Sequence, residues 1–153
     1  MTPPPIIQAL PGGFIIAGLF LVIVAYMAII RGLERGRIKK KFERDRIIIT
    51  GFGVNFFGQE SEPGALLRSV GVLILLRDGL YYRSRFGPRE LMIPKSNITG
   101  LEIANIFKKK SLHINTMVIS FENQDGKPDR AAFRIPHHPA QWMEVIKMKL
   151  LKD

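Results

Sequence analysis

The sequence predicts one N-terminal transmembrane α-helix followed by an α+β domain, an antiparallel and partly open barrel or sandwich capped by a C-terminal amphipathic helix. Three observations predict this. Residues 13–30 lack any charged side chain, residues 47–135 alternate short apolar runs with Gly, Pro, Asn and Asp, and residues 139–151 repeat apolar side chains at helical spacing. The chain has 153 residues and no cysteine. This length predicts a single compact domain after the helix, without disulfides or thiolate metal sites.

The run FIIAGLFLVIVAYMAII, from Phe14 to Ile30, is predicted to cross a membrane as one helix. At about 1.5 Å per residue it covers roughly 26 Å of a hydrocarbon core that is about 30 Å thick. A soluble helix of this length would carry a polar stripe to meet water, and this run carries none. Gly13 and Ala17 form a small-xxx-small pair, which predicts a contact with another helix in the membrane.

The segment after the span predicts its orientation. Residues 31–46, predicted as a juxtamembrane linker helix, hold eight basic side chains against three acidic ones, whereas residues 1–12 hold no basic side chain. By the positive-inside bias, tail 1–12 is extracytoplasmic and domain 47–153 lies in the cytoplasm, at the cell (inner) membrane. A cleaved secretory signal is the alternative, but it would place basic residues before the apolar run. The eight basic residues, here called the basic collar, are Arg31, Arg35, Arg37, Lys39, Lys40, Lys41, Arg44 and Arg46.

The positions of the turn-forming residues Gly, Pro, Asn and Asp predict where the strands of the domain begin and end. Glycines at 51, 53 and 58 predict a bent or bulged first strand over 47–59, and the run GQESEPGALLR, residues 58–68, predicts a loop or short helix. Asp78 and Gly79 predict the two-residue type I′ turn of the clearest hairpin, with positive φ at both positions. Strands are predicted over 90–93 and 98–103 with a kink at Pro94, and over 117–122 and 131–135. A mobile basic hairpin or loop is predicted at 108–115. The chain is predicted to end in a helix with Pro139 in its first turn, whose side chains facing the core are Trp142, Met143, Ile146 and Leu150.

Two basic regions predict contacts with an anionic surface. Lys108, Lys109 and Lys110 form a candidate lipid- or partner-contacting loop, and each collar residue near an anionic leaflet contributes about 1 kcal/mol. The alternative is that the collar is a topology signal and a solvated face. Nucleic acid is not predicted as a partner, because the linker lacks the interleaved aromatic residues that stack on bases.

The residues for catalysis or cofactor binding are sparse, so the sequence predicts no enzyme, no metal and no cofactor. His113 lies in the basic segment, and His137 and His138 are adjacent on an extended segment, where their side chains point in opposite directions. Ser61 lacks a glycine elbow. GFGVNFFG has neither the Lys-Ser/Thr ending of a phosphate-binding loop nor the glycine spacing of a dinucleotide turn.

The phrases GVLILLRDGLYYRSR, RELMIPKSNITGLEI, MVISFENQDGKPDRAAFRI and PAQWMEVIK, within residues 47–151, resemble bacterial pleckstrin-homology-like (PH-like) or GRAM-like domains. The run NFFGQES is similar to a segment of small bacterial proteins that pair one N-terminal span with such a domain. The resemblance implies a scaffold for protein or peptide contacts, sometimes for lipid, without shared catalytic residues. Phosphoinositide-binding relatives carry a basic motif in a long loop between their first two strands. Because the obvious hairpin turn is only Asp78 and Gly79, no such site is carried over onto Arg77, Arg83 or Arg85.

Together these observations predict a single-pass, non-enzymatic binding or assembly module. It would serve as an accessory or scaffold subunit of a membrane protein complex, with other membrane subunits as partners. The alternative is a module that senses anionic lipid through the basic collar and Lys108–Lys110 together.

Overall fold

The computed structural model describes residues 12–66 and 68–151, in two compact units that divide between Ile38 and Lys39. Helix α1 runs from Gly12 to Lys41, and its large apolar side chains are exposed, Phe14 at 71% and Ile29 at 62%. Within the described part of the chain, α1 is the one helix long and apolar enough to cross a membrane. Most of the predicted extracytoplasmic tail, residues 1–11, lies outside the described residues.

The helix ends five residues earlier than the predicted linker helix 31–46. After Lys41 the backbone is extended at Glu43, with φ −63° and ψ 143°, and then forms a 3₁₀ turn at Arg44–Arg46. The ring of Phe42 packs edge-on against Tyr81, with 4.9 Å between ring centroids. Because this contact fixes Phe42 on the sheet, we attribute the end of the helix to tertiary packing, which the linker sequence does not reveal.

The second unit contains a seven-stranded antiparallel sheet with the strand order β4-β3-β2-β1-β7-β6-β5. In this order β4 and β5 are the edge strands, and one core cluster collects buried residues from all seven strands. A sheet that surrounds one core in this way must curve, as in a partly open barrel. The strands are β1 (Ile47–Gln59), β2 (Ser69–Leu76), β3 (Gly79–Ser84), β4 (Glu90–Pro94), β5 (Ile98–Phe107), β6 (Lys110–Glu122) and β7 (Pro128–Arg134).

The bend predicted in the first strand is confirmed. The register of β1 against β2 shifts between Phe52 and Val54, and Gly53 between them has φ +71°. A glycine with positive φ is the residue that a bulge of this kind favours. The break after β4 is also confirmed, because Lys95–Asn97 form a 3₁₀ turn directly after Pro94.

The type I′ turn predicted at Asp78 and Gly79 is wrong. Leu76 pairs with Gly79, so the turn residues are Arg77 and Asp78, and neither Asp78 nor Gly79 has a positive φ. Gly79 meets a different demand: a Cβ added there would lie 2.3 Å from the carbonyl oxygen of Ile93 on β4. Close approach of the neighbouring strand therefore requires this glycine, rather than turn geometry.

A two-residue turn with two positive φ values does occur, in the segment 108–115 that is predicted as a mobile basic hairpin or loop, and the hairpin alternative is the one observed. Lys108 has φ 49° and Lys109 has φ 61°, and Phe107 pairs with Lys110, where β6 begins. Such left-handed turns match the twist of antiparallel hairpins but seldom use lysine. Phe107 is buried and the Lys108 ammonium donates to the carbonyl oxygen of Glu62 at 2.6 Å, so tertiary contacts hold the turn.

Helix α2 spans Pro139–Ile146 and continues as a π-helical turn over Lys147–Leu151. Pro139 occupies its first turn, as predicted. The predicted apolar stripe is confirmed: Trp142, Ile146 and Leu150 belong to the core cluster, and Met143 packs against it half-buried. The helix therefore contributes one wall of the core that the sheet surrounds.

Candidate interaction site

The edge strand β5 has one free side along much of its length. In the described structure β5 pairs with β6 alone, and Ile103 and Ile106 on this strand are 46% and 58% exposed. An unpaired edge presents backbone N–H and C=O groups that a second extended segment can bind. Apolar side chains beside such an edge add a surface on which the segment can bury its own apolar residues.

A groove of about 530 Å³ lies between this edge and the start of α2. Its apolar lining comes from β5, β6, the residue after β7 and α2, and consists of Ile103, Met117, Ile135, Pro139, Ala140 and Met143. Glu144 and Lys147 supply charge of both signs to the lining. Mostly apolar lining with a few polar groups is typical of peptide or small-molecule sites. The groove and the adjacent free edge together form the candidate interaction site.

The structure changes the interpretation of the basic collar. Arg31, Arg35, Arg37, Lys39, Lys40 and Arg44 have exposed side chains. Arg46 forms an ion pair with Asp78, and Lys41 forms one with Glu90. These last two residues therefore hold elements of the domain together and offer less charge to a membrane surface than their sequence position suggests.

Lys41 is the centre of a small polar cluster on β3 and β4. Its ammonium donates to the Glu90 carboxylate at 2.5 Å and to the Tyr81 hydroxyl at 3.0 Å, while Arg83 lies 3.3 Å from the other Glu90 oxygen. The hydrogen bond from Lys41 lowers the pKa of Glu90, and the same bond raises the pKa of Lys41. Burial raises the pKa of the Tyr81 hydroxyl.

We expect the substitution Glu90→Gln to lower stability at neutral pH but not in acid. A carboxyl whose pKa is lowered by folding contributes stability above its unfolded pKa, about 4.3, and loses it as pH falls through the folded value. Because the pair is partly exposed, the loss at pH 7 should be under about 1 kcal/mol. Urea unfolding of the full chain in detergent, followed by the fluorescence of its one tryptophan, Trp142, measures this difference at pH 7 and pH 3.5.

Glu122→Gln is the matched control, because Glu122 is exposed and has no ion pair in the described structure. It should leave stability unchanged at both pH values. An equal loss from Glu90→Gln at pH 7 and pH 3.5 would show that the carboxylate charge is not what stabilises the cluster.

The lysine turn presents two side chains to solvent rather than three. Lys109 and Lys110 are exposed, whereas Lys108 is half-buried against Glu62. Gly13 and Ala17 on α1 are exposed, and no atom lies within 4 Å of a Cβ added at Gly13.

The loop between the first two strands is residues 60–68, not the Asp78–Gly79 turn. This loop lies within the segment predicted as a loop or short helix, and the comparison with phosphoinositide-binding relatives belongs to it rather than to the β2–β3 turn. The loop carries Glu60 and Glu62 and ends in Arg68, so it holds no basic motif. The Ser61 hydroxyl donates to the buried Asp129 at 2.5 Å, which pins the loop to β7. This partner gives Ser61 a structural role.

No cluster of three or more metal-ligating side chains occurs among the described residues. His138 is the N-cap of α2, with φ 51°. The His113 side chain, also considered in the sequence analysis, lies outside the described residues.

Comparison with solved structures gives the fold of the second unit. The chain is similar to the Vps36 N-terminal PH domain, with a TM-score of 0.51, 13% sequence identity, and coverage of 72% of this chain and 82% of that one. A second similar chain comes from the 8S snRNP assembly intermediate, with a TM-score of 0.49, 7% identity, and coverage of 69% and 80%. No family model matches the sequence, and comparison with curated proteins found no match. The similarity to the Vps36 domain indicates that this chain carries a PH-like fold after its apolar N-terminal helix.

Proposed function

We propose that the protein is a single-pass, membrane-anchored and non-enzymatic binding module, an accessory or scaffold subunit of a membrane protein complex. Helix α1 crosses the cell membrane with its amino end outside, and the PH-like domain lies in the cytoplasm. The apolar, exposed surface of α1 and the basic residues confined to its C-terminal side support this orientation.

The observation that carries the proposal is the groove beside the free edge of β5. We propose that an extended segment of a partner membrane protein adds to this edge and places an apolar side chain among Ile103, Met117 and Met143. Anchoring both proteins in one membrane raises their effective concentration, so a modest groove is sufficient for stable association.

Site-specific photocrosslinking tests this directly. A photoreactive amino acid replaces Ile103 in the full chain, expressed in its native membrane, and the control places it at Met92. The two positions are matched, because both are apolar residues on edge strands, 46% and 41% exposed. The expected result is a discrete crosslink between position 103 and one protein chain, without that product from position 92.

The protein that crosslinks to position 103 should also co-purify with the full chain in a constant ratio in a mild-detergent pull-down. Ile103→Asp should weaken that recovery while leaving the free energy of unfolding of the domain unchanged. Crosslinks of equal yield at both positions, or recovery of the protein alone, would contradict a partner-binding role for this groove.

A second candidate function is recognition of anionic lipid by exposed basic residues. It is supported by the exposure of Lys109 and Lys110, and of seven of the eight collar residues, of which Lys41 forms an ion pair with Glu90. Liposome binding by a Lys109→Gln/Lys110→Gln variant separates the two functions. Saturable affinity for one lipid that this variant loses favours a sensor, whereas weak adsorption that salt abolishes favours the scaffold.

A further inference from the structure

Two arginines flank one buried asparagine on the outer face of the sheet, the face turned away from the core. Phe56 on β1 and Phe133 on β7 belong to the core cluster, so their neighbours Asn55 and Arg134 project from the opposite face. Asn55 and Arg134 are paired directly across the two strands. Side chains in such a pair share one face, with Cβ atoms about 5 Å apart. Arg134 therefore lies beside Asn55.

Arg68 reaches the same asparagine from the side of β2. Its Nε donates to the Oδ1 atom of Asn55 at 2.9 Å, and Val70, two residues later, is the partner of Asn55 on β2. Asn55 is only 7% exposed, whereas Arg68 is exposed and Arg134 is half-buried. Because Arg68 uses Nε for this bond, the terminal amino groups of its guanidinium remain to bind a ligand. We call Asn55, Arg68 and Arg134 the Asn55 site.

The Asn55 site carries two positive charges without a counter-charge. Neither Arg68 nor Arg134 forms an ion pair within residues 12–66 and 68–151. Arg130, four residues before Arg134 on the same strand and face, is paired with Glu102 and lies 3.6 Å from Glu60. One arginine of β7 is therefore neutralised within the fold and the other is not. A bound anion would supply the missing negative charge.

The donors of the Asn55 site suit a carboxylate better than a phosphate. Phosphate sites commonly add backbone N–H groups from a helix N-terminus or a turn. Here β1 lies between β2 and β7, so the backbone around Asn55 is engaged in the sheet on both sides. Side-chain donors alone remain. Two arginines can satisfy a planar carboxylate, because each guanidinium presents paired N–H groups to its two oxygens.

Apolar side chains lie next to the Asn55 site on the same face. Val70 is half-buried, and the half-buried Phe57 packs against the small cluster of Phe107, Val118 and Ala132. A protein segment can place a carboxylate between the arginines and an apolar side chain against Val70 or Phe57. Arginine clusters recognise acidic motifs of partner proteins in this way.

We propose that the Asn55 site binds a carboxylate side chain in an acidic segment of a partner protein. The inference goes beyond the proposed function, because the site lies outside the groove beside β5. Ile135 lines that groove and belongs to the core, whereas the preceding residue, Arg134, projects from the outer face. The protein therefore offers a second contact surface, selective for negative charge.

The test uses the isotope-labelled full chain in uncharged detergent, titrated with a blocked tetraglutamate peptide and followed by chemical shifts. Saturable shifts are expected for the Nε–H group of Arg68 and the side-chain amide of Asn55, whereas a blocked tetraglutamine peptide should cause none. Arg68→Gln and Arg134→Gln should each weaken binding about tenfold, the usual effect of losing a hydrogen bond to a charged group.

Arg130→Gln is the matched control, because it removes the same charge from the same strand and face. Arg130 lies about 13 Å along the strand from Arg134, which exceeds a Debye length of about 8 Å at physiological salt. Its charge is also already neutralised by Glu102 and Glu60. This variant should leave the affinity for tetraglutamate within about twofold.

Three results would overturn the proposal. Equal weakening by Arg130→Gln would mean non-specific attraction to a basic surface, and lack of saturable binding would remove the site altogether. Tighter binding of inorganic phosphate or dihexanoyl phosphatidylglycerol than of tetraglutamate would replace the carboxylate by a phosphate ligand. Crosslinking at position 103 tests the groove beside β5 separately, so failure at the Asn55 site leaves the proposed function unaffected.

Discussion

Replacing Phe133 by alanine is expected to lower the free energy of unfolding of the PH-like domain by about 3–5 kcal/mol. The Phe133 side chain is fully buried, stacks on Phe56 with 5.0 Å between ring centroids, and lies 5.8 Å from the ring of Tyr82. Removing it would leave a cavity at the centre of the core. Since domains are typically stable by only about 5–15 kcal/mol, a large unfolded population is expected at moderate urea.

The measurement is urea unfolding of the full chain in detergent micelles, followed by Trp142 fluorescence. Phe86→Ala is the matched control, because Phe86 is the same residue type and is 71% exposed. It should change the unfolding free energy by less than about 0.5 kcal/mol. Similar losses from the two variants would mean that the aromatic cluster of Phe56, Tyr82 and Phe133 is not the centre of the core.

The double substitution Phe20→Arg/Ile23→Arg is expected to abolish membrane integration. Each arginine at the centre of a span costs about 2.5–3.5 kcal/mol on insertion, so the pair costs roughly 6 kcal/mol. Both positions are exposed on α1, at 65% and 52%, so folding of the domain should not depend on them. The readout is extraction of cell membranes with alkaline carbonate, in which the parent protein stays in the pellet and the variant moves to the supernatant.

Leu33→Arg/Gly36→Arg provides the control on the same helix. Leu33 is 57% exposed and lies after the predicted span, and no atom lies within 4 Å of a Cβ added at Gly36. This variant should remain in the pellet. If the parent protein and both variants distribute alike between pellet and supernatant, α1 does not lie in the hydrocarbon core of a membrane.

Features that depend on local chemistry were predictable from the sequence. The absence of charge over residues 13–30 indicated the apolar helix, and the spacing of Trp142, Ile146 and Leu150 indicated the buried side of the C-terminal helix. The glycines of β1 indicated its bulge. Each of these signals lies within one segment of chain, where periodicity and backbone freedom determine the structure.

Features that depend on distant contacts were not predictable. Lys41 and Glu90 are 49 positions apart, and no pattern marks their pairing. The left-handed turn at Lys108 and Lys109 opposes the local preference of lysine, and the buried Phe107 overrides that preference. At Gly79 the dipeptide Asp-Gly suggested turn geometry, whereas the glycine is needed for the approach of β4.

The candidate sites were predictable only in part. The basic residues are visible in the sequence but their pairing is not, so the sequence places Lys41 and Arg46 in the membrane-surface basic collar. The groove beside β5 brings together residues from 103 to 147, and it appears only once the strand order makes β5 an edge. The groove therefore depends on the sheet topology, and no sequence motif marks it.

The most direct measurement of the proposed anchoring and orientation is labelling of single cysteines in intact cells with a membrane-impermeant maleimide. The chain contains no cysteine, so Thr2→Cys and Phe86→Cys each provide one reactive thiol without further changes. With the amino end outside and the domain in the cytoplasm, we expect labelling of Thr2→Cys in intact cells and of Phe86→Cys only after the cells are opened. Labelling of Phe86→Cys in intact cells, or recovery of either protein in the aqueous fraction without detergent, would contradict it.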